Sequence, residues 1–505
     1  MPRRIWFLVA MTALVALAAG LRFYKLGAQP LWLDEATTAD YAAKSLLSAT
    51  FAEGTHPPLF YVIEYFAVRW LGPSDAALRV PSALFGLLMV PAAWAVARRL
   101  VPQSRATAWA TAALVATSPF LLYLSQDARS YPLLILLALL STVYFLRFCG
   151  IGDSGEGEST VPRGRAADLL LYAALSVLML YTHYYAVWVL LAREAVYWRH
   201  ARVQQKAWLL ARFNVALAFL PWVVWAAGQA KLDAIAWAGS ALVRIPYALL
   251  RDLVGYSIAP HAAPGPGNDT LEIVVREEGL AVALVAGPLL WLLLRGAWRV
   301  RNERPATCTL LLALLVAPLV IMVAVSPWVK LLHERAVSFQ TPFVLLLIAY
   351  GWATLRPRAR VVSAIVCSAG IAFSLVAYYA APGELLGYRL RYGKEEWRAA
   401  AAYVEESKPD AVILAPGYLH LSFLRYWRVS ADAVPVLQVA RGAELNWPWR
   451  VHASRRIALV LSHAGPAEER VREHLDATRQ RVAEINFPAQ NGIRVYVYES
   501  RTPPD

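Results

Sequence analysis

A series of long apolar segments constrains this sequence more than any other feature. Of its 505 residues, 58% are hydrophobic and only 17% are charged, and the mean hydropathy is +0.44. A water-soluble fold of this length cannot bury so much apolar surface, so lipid must be the solvent for most of the chain. The sequence therefore predicts a mainly α-helical, polytopic membrane protein.

Eleven segments are predicted to cross the membrane. In order, they are 5–21, 79–97, 106–124, 131–148, 168–184, 186–198, 208–227, 279–295, 306–325, 336–355 and 361–380. The first is interpreted as a retained span, because it is long for a signal-peptide core and an acidic motif follows it directly. A further run, 57–71, is short, begins with two prolines and contains Glu64 and Arg69.

The positions of Arg and Lys indicate whether 57–71 crosses the membrane. The net charge of +14 is concentrated in short loops between apolar runs, which is typical of membrane proteins and does not indicate a nucleic-acid partner. If 57–71 does not cross, every strongly basic short loop falls on one side. We therefore predict an interfacial or re-entrant helix at 57–71 within a first outer loop, 22–78, with the N-terminus inside and the C-terminus outside.

The composition changes at about residue 383. A buried strand is predicted at Ala411–Ala415, a second strand at Ile457–Ser462 and an alternating strand at Ile493–Glu499. An amphipathic helix is predicted from Lys394 to about Glu406, with further helices around 417–427 and over 466–483. This pattern predicts a transmembrane domain, 1–382, followed by a small extracytoplasmic α/β domain, 383–505. The outer loop 228–278 is longer than a connection requires, and both a mobile gate and a featureless surface loop are open interpretations.

The motif Leu31-Trp32-Leu33-Asp34-Glu35 carries the main functional hypothesis. Two adjacent acids stand between bulky apolar residues at the predicted outer edge of the membrane. Apolar neighbours indicate a carboxylate in a partly dry pocket, where it can act as a base. Asp34 and Glu35 are the catalytic candidates, and a pair of solvated acids in an interfacial loop is the alternative.

Other polar groups on the same predicted face could complete a site. His56 precedes Pro57-Pro58 and could bind a metal or a substrate group, or be an ordinary interfacial histidine. Asp127 and Arg129 occupy a tight turn between two apolar runs, where an ion pair that stabilises the turn is equally plausible. His183 is a weaker candidate, because its tyrosine neighbours resemble an interfacial aromatic belt.

The segment from Lys330 to Arg335, which includes His333, precedes the apolar run 336–355. Its cations could bind a lipid phosphate, since the planar guanidinium group suits oxyanions. A set of snorkelling interfacial anchors is the alternative. The sequence contains no Gly-rich phosphate loop and no paired zinc spacing, so an activated substrate would have to come from the membrane.

Taken in order, these motifs resemble the GT-C class of polyprenyl-phosphate-sugar glycosyltransferases, in the branch of the protein O-mannosyltransferases and the lipid A aminoarabinose transferases. The resemblance rests on the acid pair of the first outer loop, the Pro57-Pro58-Leu59 helix start, the Asp127/Arg129 turn and an arginine before a late span. It covers roughly residues 1–380. It implies the GT-C fold and a bacterial cytoplasmic (inner) membrane location.

The resemblance also implies roles for individual residues. Asp34 matches the catalytic base of an inverting transfer, and Glu35 is its usual neighbour. Arg335 matches the residue that contacts the lipid phosphate, and Asp127 with Arg129 matches a second acidic turn. His56 stands where the aminoarabinose transferases have a Glu-Lys pair, which leaves the sugar and the use of a metal open.

The predicted function is transfer of a sugar from a polyprenyl-phosphate donor to a hydroxyl of a lipid, glycan or protein on the outer membrane face. Lys330 or Arg129 would assist Arg335 at the phosphate, while Glu35 and His56 would orient sugar hydroxyls. Asp34, His56 and Asp127 are compatible with a divalent cation but do not require one. A transporter or flippase of lipid-linked sugars and a non-catalytic membrane scaffold are the alternatives.

Overall fold

The computed structural model describes most of the chain. The described residues are 3–51, 56–152, 164–229, 241–256, 258, 279–327, 333, 335–380, 383–385, 388–390, 393–430, 432–439, 451, 453–463, 465–488 and 492–501. The predicted candidate Lys330 and most of the second half of the outer loop 228–278 lie outside these residues.

Helices dominate the part of the chain before residue 381. They are α1 Arg3–Phe23, α2 Leu33–Ala43, α3 Leu46–Thr50, α4 Leu59–Leu71, α5 Asp75–Leu100, α6 Arg105–Thr117, α7 Pro119–Ser125, α8 Tyr131–Cys149, α9 Ala166–Leu180, α10 Ala186–Val196, α11 Gln205–Ala227, α12 Ala241–Val254, α13 Gly279–Glu303, α14 Pro305–Val325, α15 Thr341–Ala353 and α16 Pro357–Ala380. The chain is thus a polytopic membrane protein, as predicted.

Seven described helices are long and apolar enough to cross a bilayer, namely α1, α5, α8, α11, α13, α14 and α16. Helices α6 and α7 meet at an angle of 53° and count as an eighth if they form one broken span. The bend occurs before Pro119, whose ring is incompatible with an uninterrupted helix. Helices α9, α10 and α15 lie where spans were predicted but are shorter, so the predicted count of eleven is not confirmed.

The interior of the bundle is closely packed around α5, α8, α13 and α15. The contact between α13 and α15 depends on two glycines: a Cβ atom at Gly296 would lie 1.9 Å from the carbonyl oxygen of Leu347, and one at Gly351 would lie 2.1 Å from that of Leu292. Only glycine permits such a close approach of two helix backbones.

Helix α10 contains two charged residues that find partners inside the bundle. Arg193 is fully buried and donates to the Ala138 carbonyl and the Ser141 hydroxyl, each at 2.9 Å. Glu194 pairs with Arg212 at 2.9 Å. These interactions explain how a short helix with an Arg-Glu pair is tolerated among apolar neighbours.

Helix α4 occupies the ambiguous run 57–71. Its 13 residues extend about 20 Å, less than the roughly 30 Å of a bilayer core. Trp32, in the first outer loop, donates through Nε1 to Asp127 Oδ1 at 2.7 Å, so both loops lie on one side of the membrane. If the α6–α7 pair is one broken span, it and helix α5 supply the two crossings between these loops, and α4 then stays on the side of the first outer loop as predicted from loop charge.

The C-terminal region forms a mixed five-stranded sheet. Its strands are β3 Ala411–Ala415, β4 Val436–Gln438, β5 Arg456–Ser462, β6 Arg479–Phe487 and β7 Ile493–Ser500, in the order β4-β3-β5-β7-β6, and β1 Gly383–Leu385 and β2 Tyr388–Leu390 form a separate hairpin. Helices α17 Trp397–Glu406, α18 His420–Leu424 and α19 Pro466–Thr478 complete it.

The sequence interpretation was wrong about the bounds of two of these elements. The helix predicted to open at Lys394 begins only at Trp397, so Lys394 precedes it. The charged helix predicted over 466–483 ends at Thr478, and the chain enters β6 at Arg479. Strand β6 is an edge strand whose side chains alternate between exposed and half-buried. Its many polar residues therefore resembled a continuation of the charged helix.

The C-terminal domain is joined to the membrane part by a cluster of polar contacts around Asp75, at the start of α5. The Asp75 carboxylate pairs with Arg398 at 2.8 Å and with Arg425 at 3.2 Å, and it accepts a hydrogen bond of 2.5 Å from the Tyr426 hydroxyl. Tyr426 also accepts from the Leu31 amide at 2.7 Å. The domain therefore lies on the same side of the membrane as the first outer loop.

The predicted orientation can be measured by cysteine accessibility. In a variant whose three native cysteines are replaced by alanine, Ala43→Cys at the end of α2 should react with a membrane-impermeant maleimide in intact cells. Gln103→Cys, exposed between α5 and α6, should react only after permeabilisation, because basic short loops stay inside. Labelling of Gln103→Cys from outside would contradict the orientation.

Glu64 of α4 gives a second prediction, because it is fully buried and neither of its carboxyl oxygens has a hydrogen-bond partner among the described residues. Burial raises the pKa of Glu64 well above its usual value, and the nearby Glu35 carboxylate raises it further. The folded protein therefore retains a proton that the unfolded chain loses above about pH 4.3. Stability falls as the pH rises from there towards the folded-state pKa.

Replacing Glu64 with Gln should remove this dependence. We expect Tm of Glu64→Gln, relative to wild type, to rise between pH 4 and pH 8 when both are measured in the same detergent. Glu406→Gln, at the surface end of α17, is the control. The difference in Tm between Glu406→Gln and wild type should stay constant from pH 4 to pH 8. A constant difference across the pH range would show that Glu64 does not titrate as inferred.

Candidate active site

The candidate site is built around the first turn of α2. Leu31 is fully buried against Leu78 and Ala128, and Leu33 packs on the apolar core of the C-terminal domain. These two contacts fix the start of α2 between the membrane part and the domain. The apolar neighbours of Asp34 thus serve packing and do not enclose its carboxylate, which differs from the dry pocket that the sequence suggested.

Glu35 lies on the buried side of this turn. Arg79 binds its two carboxyl oxygens at 2.7 and 2.8 Å, and Lys394 of the C-terminal domain donates to Oε2 at 2.8 Å. The Ala128 amide donates to Oε1 at 2.9 Å, and the Trp32 amide approaches Oε2 at 3.4 Å. Five donors therefore saturate one carboxylate that has no exposed surface.

These contacts define the electrostatic state of Glu35. Burial alone would raise the pKa of Glu35, but Arg79 and Lys394 outweigh it and hold the pKa well below its usual range. A permanently ionised, fully coordinated carboxylate cannot accept a proton or bind a sugar hydroxyl. The geometry does not support the catalytic and sugar-orienting roles predicted for Glu35, and we assign it a role in holding the site together.

Asp34 points to the opposite side of the turn, and 31% of its side chain is exposed. Its Oδ2 atom lies 3.7 Å from Arg335 NH1 and 3.9 Å from Arg129 Nε. Both distances are longer than a hydrogen bond. Asp34 is therefore a carboxylate that faces an opening and lies beside two guanidinium groups, as a base beside an anion site would.

Both arginines beside Asp34 also contact other residues, which fix their positions. Arg129 NH2 and His56 Nε2 lie 3.1 Å apart, and the Arg129 carbonyl accepts from the Ser82 hydroxyl at 3.1 Å. The Arg335 guanidinium stacks 4.4 Å from the centre of the Trp32 ring. His56 contacts an arginine of the site, so the ligand role predicted for this histidine would require it to exchange that contact.

Asp127 is fully buried beneath the site. Its Oδ1 atom accepts from Trp32 Nε1 at 2.7 Å and from Lys394 at 3.2 Å. Burial raises the pKa of Asp127, while Lys394 and Arg335 act in the opposite direction and Glu35 adds to the increase. Asp127 does not pair with Arg129 in the tight turn, because its partners come from the first outer loop and the C-terminal domain.

Three buried polar atoms at the site have no hydrogen-bond partner among the described residues: Arg129 Nε, Arg335 NH1 and Asp127 Oδ2. The two nitrogens are donors and the carboxylate oxygen is an acceptor, so each can form a further hydrogen bond. Two of the three are guanidinium donors, and both lie next to Asp34. This arrangement fits an oxyanion that binds between Arg129 and Arg335.

Two histidines lie close to these arginines. His183 is buried, its ring centre is 6.0 Å from that of His56, and its Nδ1 atom accepts from the Tyr185 amide at 3.2 Å. Burial, His56, Arg129 and His333 together lower the pKa of His183 well below its usual value. His183 is therefore neutral and lines the buried side of the candidate site. His333 is close enough to His183 to affect its pKa.

The metal candidates Asp34, His56 and Asp127 do not form a set of metal ligands in the described structure. No group of three or more His, Cys, Asp or Glu side chains in the described ranges converges on one point. Asp127, one of the metal candidates, instead binds a tryptophan and a lysine. A site that consists of one carboxylate and two guanidinium groups suits an anion better than a divalent cation.

Helix α12, the amphipathic part of the outer loop 228–278, packs into the bundle. Asp252 accepts from the Thr341 hydroxyl at 2.6 Å, and burial raises the pKa of Asp252 to about 7. Arg251 is fully buried between the rings of Tyr247 and Tyr256. Helix α12 is therefore packed against the bundle. Residues 259–278 of the same loop lie outside the described part.

Sequence reasoning missed three residues of the site. Arg79 begins a predicted apolar span, Lys394 was assigned only to the start of an amphipathic helix, and Trp32 was treated as an apolar neighbour. An arginine at the first position of a span was the one available signal, because such a charge requires a partner. Nothing in the sequence indicates which acid pairs with Lys394.

No family model matches the sequence, and no curated protein matches it significantly. Solved structures do match. ArnT from Cupriavidus metallidurans bound to undecaprenyl phosphate is 13% identical with a TM-score of 0.56, and the match covers 96% of this chain and 97% of that one. The archaeal oligosaccharyltransferase AglB from Archaeoglobus fulgidus, in complex with an inhibitory peptide and a dolichol-phosphate, is 12% identical with a TM-score of 0.53, over 90% of this chain and 69% of that one.

At so low a sequence identity, the structural match establishes the fold alone. Both matched structures are GT-C proteins, and the match to ArnT extends over nearly the full length of both chains, so it includes the C-terminal sheet domain. The chain therefore has the fold of the GT-C membrane glycosyltransferases, as its sequence predicted.

Proposed function

We propose that this protein is a membrane glycosyltransferase that moves a sugar from a polyprenyl-phosphate donor to an acceptor hydroxyl, with inversion at the anomeric carbon. The proposal rests chiefly on one observation: Asp34, partly exposed, lies 3.7 and 3.9 Å from two guanidinium groups whose buried nitrogens lack partners among the described residues. These are the groups that a base and a leaving phosphate require.

The structural neighbours support the choice of donor. ArnT was solved with undecaprenyl phosphate, and AglB with a dolichol-phosphate. Both ligands are phosphates on long isoprenoid lipids, which a site at the membrane surface can take directly from the bilayer. A lipid donor also agrees with the lack of a phosphate-binding Gly-rich loop in the sequence.

In the proposed reaction, Asp34 accepts the proton of the acceptor hydroxyl while that oxygen attacks the anomeric carbon. The bond between this carbon and the phosphate oxygen breaks, and polyprenyl phosphate leaves. Arg129 and Arg335 neutralise the negative charge that develops on the leaving oxygen, where preorganised donors lower the barrier most. One bond forms, one breaks and the proton remains on Asp34, which water then deprotonates.

The finer features follow from the same proposal. The site lies on the outer face of a bacterial cytoplasmic membrane, with the N-terminus inside, and the transferred group is a hexose or pentose. His56 and His333 would line the sugar or phosphate region next to Arg129, and Lys330 would add a cation to the phosphate region. The acceptor is a hydroxyl of a lipid, a glycan or a protein.

Asp34→Asn tests the base. Asparagine keeps the size of the side chain but cannot take a proton, so kcat for transfer from a polyprenyl-phosphate donor should fall by about 100- to 10,000-fold. The measurement uses membranes that contain equal amounts of folded protein. Asp40→Asn, on the same helix and engaged in a surface ion pair with Lys44, is the matched control and should keep wild-type activity.

The outcome separates the proposed reaction from its alternatives. Full transfer by folded Asp34→Asn would exclude the base mechanism. A transporter or a scaffold would show no transfer in either the wild type or the control variant.

Arg335→Lys tests the phosphate contact. Lysine keeps the charge but loses the planar pair of donors and the stacking on Trp32, so the donor KM should rise roughly tenfold or more. The acceptor KM should change little, because Arg335 faces the phosphate. Arg299→Lys, which removes a guanidinium from an ion pair on α13, is the control. A donor KM and a kcat that both stay at the wild-type values in Arg335→Lys would remove this residue from the phosphate site.

A further inference from the structure

Lys394 reaches from the C-terminal domain into the floor of the candidate site. It lies just before α17, and only 5% of its side chain is exposed. Its ammonium group donates to Glu35 Oε2 at 2.8 Å, to Asp127 Oδ1 at 3.2 Å and to the Gln126 carbonyl at 3.2 Å. A buried ammonium group is costly unless it is fully paired, and here all three of its donors are used.

The charges beneath the site balance only when Lys394 is present. Glu35 and Asp127 are the two buried acids, and Arg79 and Lys394 are the two buried cations that contact them. Arg79 binds Glu35 through both carboxyl oxygens. Lys394 is therefore the cation that Asp127 depends on, because it is the one that directly contacts this carboxylate in the described structure.

Asp127 connects Lys394 to the phosphate site. It binds Trp32 through Oδ1, and Arg335 stacks on the Trp32 ring. Asp127 Oδ2 and Arg335 NH1 both lack hydrogen-bond partners among the described residues, and the two charges interact electrostatically. Without Lys394, the Asp127 carboxylate would lose the one cation that contacts it directly among the described residues, and its attraction to Arg335 would no longer be offset.

We propose that Lys394 is a positioning residue that holds and neutralises Asp127, and so keeps the Arg335 guanidinium available for the donor phosphate. The inference rests on the proposed function, since it assigns Arg335 to the phosphate. It makes the C-terminal domain part of the active site through a residue that acts on Arg335.

Binding of undecaprenyl phosphate to the purified full-length protein in detergent tests this role without requiring catalysis. Lys394→Met should weaken binding by roughly 10- to 100-fold, the range expected when the support of a ligand-binding residue is lost. Arg398→Met is the matched control. It removes a cation of the same segment that contacts the domain-docking residue Asp75, and it should bind the lipid as the wild type does.

The double variant Lys394→Met/Asp127→Asn provides the decisive comparison. Asparagine still accepts a hydrogen bond from Trp32 but carries no charge, so the cluster is neutral again. We expect the double variant to fold and to recover binding to within about threefold of wild type, because coupled sites are not additive. In the transfer assay, the donor KM should follow the same pattern, with the acceptor KM unchanged.

Each other outcome overturns the inference. If Arg398→Met loses as much binding as Lys394→Met, Lys394 acts only in domain docking. If the double variant remains defective or does not fold, charge compensation of Asp127 is not its role. If folded Lys394→Met binds undecaprenyl phosphate as tightly as the wild type does, the positioning role of Lys394 is also excluded. Failure of the wild type to bind undecaprenyl phosphate would instead overturn the proposed donor, which keeps the two failures distinguishable.

Discussion

The carboxylate of Glu35 is the interaction on which the site depends. Its partners come from three regions that are distant in the sequence: Arg79 from α5, the Ala128 amide from the α7–α8 turn, and Lys394 from the C-terminal domain. A single buried charge thus ties together the first outer loop, the membrane bundle and the outer domain. Removing one member would leave its partners buried and unpaired, which typically costs about 3–5 kcal/mol.

This arrangement also explains why Asp34 and Glu35 have different roles despite being neighbours. Successive residues of a helix point in directions about 100° apart, so the first turn of α2 presents one acid to the interior and the other to the opening. The five donors on Glu35 fix the orientation of that turn. Asp34 is consequently placed beside Arg129 and Arg335 at 3.9 and 3.7 Å, without a hydrogen bond between its carboxylate and either guanidinium group.

The sequence predicted the fold well because its main signals are local. Apolar run length located the helices, and loop charge indicated that α4 does not cross, in agreement with the contact between Trp32 and Asp127. The site was predicted less completely, because its polar connections are non-local. Lys394 lies 359 positions from Glu35, and neither hydropathy nor spacing carries that information. The apolar neighbours of Asp34 drew attention to this candidate site, but the structure gives them a different role, because Leu31 and Leu33 pack against other elements.

The charges around Asp34 suggest how donor binding and base catalysis are linked under the proposed mechanism. In the structure, Asp34 lies beside two guanidinium groups at distances too long for hydrogen bonds. An incoming phosphate offers these groups more acceptor oxygens and better geometry than one carboxylate does. It would therefore displace Asp34 from its ion pairs and turn it towards the acceptor hydroxyl. Asp34 would be available as a base only when the donor phosphate is bound, which disfavours wasteful reaction of the site in its absence.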